Sequence, residues 1–164
     1  MCEPDGRRVL RKFNIPGLQL GLRYEGSPIV ATEAGVPPAD LPNDYLPTAR
    51  PGARAPHIWL DGKSIFDLFA RDFTLLCFNE SNSTERAWTQ AAAAMGLPLA
   101  VVSCASAEAR ALYGADCVLI RPDHHVAWRG DAMVEPGAVL AMACGHSISS
   151  ARILPDAPDC STNR

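Results

Sequence analysis

The residues best equipped for chemistry stand together in Arg121-Pro122-Asp123-His124-His125. Adjacent imidazoles beside a guanidinium and a carboxylate are the materials of a proton-transfer or metal site. Their spacing points elsewhere. Neighbouring residues on a strand face opposite ways, so His124 and His125 do not easily converge on one ion. Proline followed by aspartate suits the two central positions of a type I turn. The next residue of such a three-residue hairpin loop needs a positive φ, which histidine tolerates at some cost. The stretch therefore reads as a hairpin tip between strands at Cys117–Arg121 and His125–Arg129.

The cysteines are the second candidates: Cys2, Cys77, Cys104, Cys117, Cys144 and Cys160, no two of them spaced as a two-residue-gap pair. Cys77, Cys104 and Cys117 fall in apolar strand-like runs, where cysteine behaves as a small hydrophobe. Buried, reduced thiols are expected, and with them a cytoplasmic protein. Thiol–disulfide exchange wants a thiolate at a helix start, yet the helix after Phe73–Asn79 opens with Glu-Ser-Asn-Ser-Thr. Ser81 and Ser83 there read as caps. The redox folds also keep a proline before the first hairpin strand, and Tyr113–Arg121 has none. Gly145-His146-Ser147 has no nearby acid. Neither GxSxG, nor a P-loop, nor GxGxxG occurs. The expectation is no catalytic, cofactor-binding or metal site in this chain.

The elements that hold these residues divide the chain. Residues 1–55 carry Pro28, Pro37, Pro38, Pro42, Pro47 and Pro51, too many for a helix or a central strand. They read as an extended proline-rich arm, with Leu18–Tyr24 its one strand-like segment. From residue 56 to 147 the pattern is regular. His57–Leu60 reads as a short strand, and Ser64 opens a short helix over Ser64–Ala70. Phe73–Asn79 is a buried strand. A helix capped by Asn82 with Glu85 follows, placing Ala87, Trp88, Ala91, Ala92 and Met95 on one face until Gly96 and Pro98 stop it. Pro98–Cys104 is another buried strand, and a helix runs from Ser106 to Gly114. After the hairpin, Pro136 opens a helix burying Val139, Leu140, Ala143 and Cys144. Residues 148–164 read as a flexible tail. Parallel βαβ units, then a hairpin and a last helix, make an α/β chain of thioredoxin-like order.

Composition narrows the partners. A net charge of −3 offers no basic field for nucleic acid. No apolar run of about 18 residues occurs to span a membrane, and the polar N-terminus lacks the core of a secretion signal. Thirteen arginines against Lys12 and Lys63 suggest fixed contacts with carboxylates or another chain segment.

Three stretches, Gly17–Val30, Thr48–Phe78 and Val118–Gly130, together resemble the C-terminal part of the flavin-dependent aromatic hydroxylases of the phenol-hydroxylase type. The family usually has glycine where His124 stands. The resemblance implies a thioredoxin-like domain without redox cysteines, joined by its arm to FAD and substrate domains that this chain does not contain. In the whole enzyme NAD(P)H reduces FAD, O2 reacts with the reduced flavin, and a phenolic ring is hydroxylated. This part would dock the missing domains or support association, including a homodimer by arm exchange. The candidate contacts are Arg23, Tyr24, Arg50, Arg54, His57, Trp59, Arg121 and Arg129, with the last two placed to pair with acids across the hairpin. The alternative is a free-standing binding or scaffold module of the same fold. As a tryptophan, Trp59 is expected in the core with Trp88 and Trp128.

Overall fold

The computed structural model describes residues 15–39, 41–79, 81–131 and 134–146. The expected tail, 148–164, and the first 14 residues lie outside them.

The centre is a four-stranded sheet in the order β4-β3-β5-β6. Its strands are β3 (Phe73–Cys77), β4 (Leu99–Ser103), β5 (Cys117–Ile120) and β6 (Val126–Gly130). β3 and β4 are parallel, with Phe73 opposite Leu99. β5 runs antiparallel between β3 and β6. The parallel pair requires a crossover, supplied by α2 (Asn82–Ala94). The antiparallel β5–β6 pair needs only the tight turn at Pro122–His124, where His124 has a φ of 63°. Two further helices, α3 (Ala107–Tyr113) and α4 (Pro136–Ala143), complete this part.

The sheet is covered on both faces. One holds Leu75, Cys77, Cys117 and Leu119 with Trp88 and Ala92 of α2 and Val139, Leu140 and Ala143 of α4. The other holds Leu76, Val118, Ile120 and Val126 with Ala109 and Tyr113 of α3. Such double cover explains why β3 and β5 read as unbroken apolar runs.

Several expectations are corrected. α2 is capped by Ser81, whose Oγ accepts from the Thr84 N–H, one residue before the expected Asn82. Its buried face is Thr84, Trp88 and Ala92, while Ala87 is exposed. β4 is half-buried, because it is the sheet's edge. Cys144 ends α4 half-buried. His57–Leu60 does not join the sheet: β1 (Trp59–Leu60) folds back on β2 (Lys63–Ser64) as a separate two-stranded hairpin. The turn is Asp61-Gly62, both at positive φ, the sequence such hairpins favour. The segment opened by Ser64 is a 3-10 turn over Ile65–Leu68, with Ser64 and Asp67 bonding each other's backbone N–H groups in a capping box.

Within the arm the expected strand at Leu18–Tyr24 is instead a short helix, α1 (Pro16–Leu20), ending at Gly21. Pro16 at its first turn supplies helical φ at no cost in hydrogen bonds. Of Leu18–Tyr24, Arg23 alone makes a strand-like bridge, to Ala53.

Candidate functional site

The arm closes on the free side of β6. Gly52 N–H donates to the Val126 carbonyl at 2.7 Å, Ala55 to His124 at 2.8 Å, and Ala31 to Ala127 at 2.8 Å. Val126 donates back to Ala53 at 2.9 Å. An open strand edge, which invites adventitious pairing, is thereby satisfied within the chain. A second layer follows, Tyr24 N–H donating to the Gly52 carbonyl at 2.9 Å. Small side chains make this closeness feasible: Ala49, Ala53 and Ala55 are buried. Gly52 has a φ of 90°, and a Cβ there would stand 3.0 Å from the Tyr24 backbone. One long-range bond pins the arm's end, the buried Tyr113 hydroxyl donating to the Pro56 carbonyl at 2.8 Å. Burial pushes the pKa of that phenol up.

Electrostatically the arm is held through Glu33. Arg129 grips its carboxylate with two bonds, Nε to Oε2 at 2.8 Å and Nη2 to Oε1 at 2.7 Å. A third donor of Arg129 reaches the Tyr113 carbonyl at 2.8 Å. Arg50 joins from within the arm, 3.2 Å from Oε1. The Arg129 hydrogen bonds hold the Glu33 carboxyl below its usual pKa, against an opposing effect of burial, with the charges of Arg129 and Arg50 adding. Planar, bidentate pairing is what arginine does and lysine cannot.

The candidate contacts thus sort into groups. Arg50 and Arg129 meet on Glu33. Arg54, His57 and Trp59 converge with Phe66: the Arg54 guanidinium sits 5.6 Å from the Phe66 ring centre, and the His57 ring lies 5.2 Å from Phe66 and 5.0 Å from Trp59. His57 Nε2 is also 3.0 Å from Ser64 Oγ. Tyr24 packs on His125 with ring centres 4.7 Å apart. Arg23 Nε lies 3.0 Å from Glu25, and its Nη2 donates to the Pro38 carbonyl at 3.0 Å.

Two placements differ from expectation. Arg121 and Arg129 do not pair across the hairpin: Arg121 binds Asp123 of its own turn at 3.1 Å, and Arg129 reaches into the arm. The Asp123 carboxylate is held back over its own loop by the His125 N–H, which donates to it at 3.1 Å, and so lies within reach of Arg121. Burial acts to raise the Asp123 pKa, but the Arg121 hydrogen bonds, the His125 N–H and nearby positive charge outweigh it and lower the value. Trp59 is no core residue, being 67% exposed, because its two-stranded hairpin projects from the sheet. Trp88 is fully buried and Trp128 partly so.

The paired histidines diverge at the turn, where His124 has a positive φ and β6 has not yet begun. His125 faces Tyr24, while His124 packs 5.3 Å from Phe66 and 5.4 Å from Phe69. Among the described residues no three His, Cys, Asp or Glu side chains are grouped to hold a metal. Nor is any described helix long and apolar enough to cross a membrane. Sequence reasoning missed Glu33, Phe66 and Tyr113, the partners rather than the arginines. Glu33 carries no local signal; its contacts with Arg50, 17 residues away, and Arg129, 96 residues away, distinguish it.

Comparisons with known proteins fit this geometry. The sequence profile described as "Aromatic-ring hydroxylase, C-terminal" matches residues 48–150. The chain is 36% identical over 139 residues to an FAD-dependent monooxygenase of Penicillium oxalicum, covering 79% of this chain and 26% of the relative. It is 32% identical to an aklavinone 12-hydroxylase of Streptomyces purpurascens, over 74% of this chain and 25% of that enzyme. Among solved structures it superposes on RebC, soaked with chromopyrrolic acid and with 7-carboxy-K252c bound, at a TM-score of 0.75 and 38% identity, covering 90% of this chain and 30% of RebC. The chain thus spans about a quarter of the length of these curated relatives.

Proposed function

Because this chain belongs to the aromatic-ring hydroxylase C-terminal family, we propose that it is the C-terminal domain of an FAD-dependent, NAD(P)H-using aromatic monooxygenase, cytoplasmic, and that it docks rather than catalyses. The carrying observation is the arm. It is fixed inwardly by β6 and Glu33, yet turns Leu18, Leu20, Leu22 and Tyr24 outward, 54%, 39%, 59% and 43% exposed. Large apolar side chains left exposed on a segment whose backbone is already paired suit a surface meant for another body. The strand order and directions agree with the thioredoxin arrangement, which supports reading residues 56–147 as a thioredoxin-like domain on a proline-rich arm.

FAD does not fit the residues present. The crossover helix is where an α/β unit would seat a pyrophosphate. In α2 that end already has Ser81 Oγ on the Thr84 N–H, and Glu85 adds negative charge to the first turn. The flavin and the selection of the aromatic substrate are assigned to the domains that precede the arm. In isolation the arm of a second copy can make the same β6 and Glu33 contacts, giving an arm-exchanged homodimer.

The test is to sequence the gene upstream of the Met1 codon. A continuous frame encoding a strand–GxGxxG–helix unit a few hundred residues earlier is expected. A stop codon directly before Met1 would overturn the reading in favour of a free-standing binding module. In the longer polypeptide, Leu22→Asp is expected to expose this domain to limited proteolysis; unchanged cleavage would refute docking through the arm.

A further inference from the structure

The antiparallel register of β3 and β5 sets Cys77 directly opposite Cys117. Next to them the Phe78 N–H donates to the Asp116 carbonyl at 2.8 Å. Cys77 and Cys117 are therefore a non-hydrogen-bonded pair, the kind in which facing side chains approach most closely. Their sulfurs are 3.8 Å apart. The Cα separation usual for such a pair, about 4.5 Å, falls within the span of a disulfide. Both thiols are free and buried. Neither of the other described cysteines competes: Cys104 belongs to the cluster on the opposite face of the sheet, and Cys144 ends α4.

We propose that Cys77 and Cys117 are a latent dithiol that a hydroperoxide converts to a cross-strand disulfide, a modification site independent of the docking role. Cys77 reacts first. It is the more exposed of the two, 5% against 2%. The Cys117 thiol donates to it, favouring the Cys77 thiolate and lowering its pKa, while the same bond raises that of Cys117. The Cys77 sulfur takes one oxygen from hydrogen peroxide, the O–O bond breaks, and a water leaves with the thiol proton. Cys117 then attacks the resulting sulfenic sulfur. The S–O bond breaks, the S–S bond forms, and the Cys117 proton departs in a second water. The two thiols lose two electrons and two protons, and one peroxide becomes two waters.

The test uses the unaltered chain. Folded protein is exposed to hydrogen peroxide, unfolded in an alkylating agent and digested with trypsin, which leaves each described cysteine on its own peptide. The expected product joins the Cys77 and Cys117 peptides, with Cys104 and Cys144 alkylated and the link reversed by dithiothreitol. In Cys117→Ser the link disappears and a sulfenic-acid probe labels Cys77. The proposal is overturned if Cys77 and Cys117 stay alkylatable after Cys144 is oxidised. It also fails if the disulfide that forms joins a different pair.

Discussion

The sheet and the arm are held by different physics, and only one kind announces itself locally. In the sheet, burial dominates: Leu75, Leu119 and Trp88 have no exposed surface, and neighbouring residues cooperate through a shared core. The described part of the arm, residues 15–39 and 41–55, has little core of its own. Backbone bonds to β6, alanines small enough to permit them, and one carboxylate shared by two arginines hold it. A core tolerates no vacancy, whereas an arm pinned at few points can lift while the sheet stays folded.

Leu119→Ala is the strongest challenge to that contrast. It removes a fully buried side chain from β5 and is expected to cost about 2–5 kcal/mol. Denaturant unfolding followed by tryptophan fluorescence measures it. Sheet and arm should be lost together, because the arm rests on β6.

Arg129→Ala separates the two regions. Losing the Glu33 grip and the bond to Tyr113 is expected to cost about 1–3 kcal/mol. Protease cleavage near Glu33 should accelerate, while tryptophan fluorescence reports an intact sheet. Equal loosening of both regions would erase the distinction.

Acid sharpens it further. The folded pKa of Glu33 lies below its ordinary value of 4.5. Its contribution is therefore fully present above that unfolded value and is lost as pH falls through the folded one. Cleavage near Glu33 should rise as the pH drops below about 4.5, and Glu33→Gln should flatten this dependence. Asp123 titrates in the same direction but grips only its own turn.

The smallest effect is expected at His124→Gly. Glycine removes the strain of a 63° φ, worth about 1 kcal/mol, and forfeits ring contacts with Phe66 and Phe69 of similar size. The two nearly cancel, and a net change well under about 1 kcal/mol follows; a gain of the full ~1 kcal/mol would mean that those rings contribute nothing.

The same contrast explains what was legible in the sequence. The hairpin turn, the positive φ at His124, the caps at Ser64 and Ser106 and the stops at Gly96 and Gly114 are local rules, and each stands in the structure. The strand expected at Leu18–Tyr24 failed because alternation over a few residues does not supply a partner strand, and Pro16 favours a helical start. Asp61-Gly62 was readable as a hairpin turn and would have kept His57–Leu60 out of the sheet. The density of arginine pointed to fixed contacts, and Arg50 and Arg129 make them, but nothing local marks Glu33 as their meeting point. Arm-to-β6 pairing depends on residues roughly 70 or more positions apart, beyond any periodicity. Ala49, Ala53 and Ala55 were its one hint, small residues where a backbone must come close.

Amide hydrogen exchange on the native chain tests most directly whether the arm belongs to the folded unit. The N–H groups of Ala31, Gly52 and Ala55 donate to β6 or its turn and should exchange at least about a hundredfold more slowly than an open chain. In Arg129→Ala, protection at Ala31 should fall by about tenfold or more while Leu119 is unchanged. Open-chain rates at all three arm amides, beside a protected Leu119, would contradict the account.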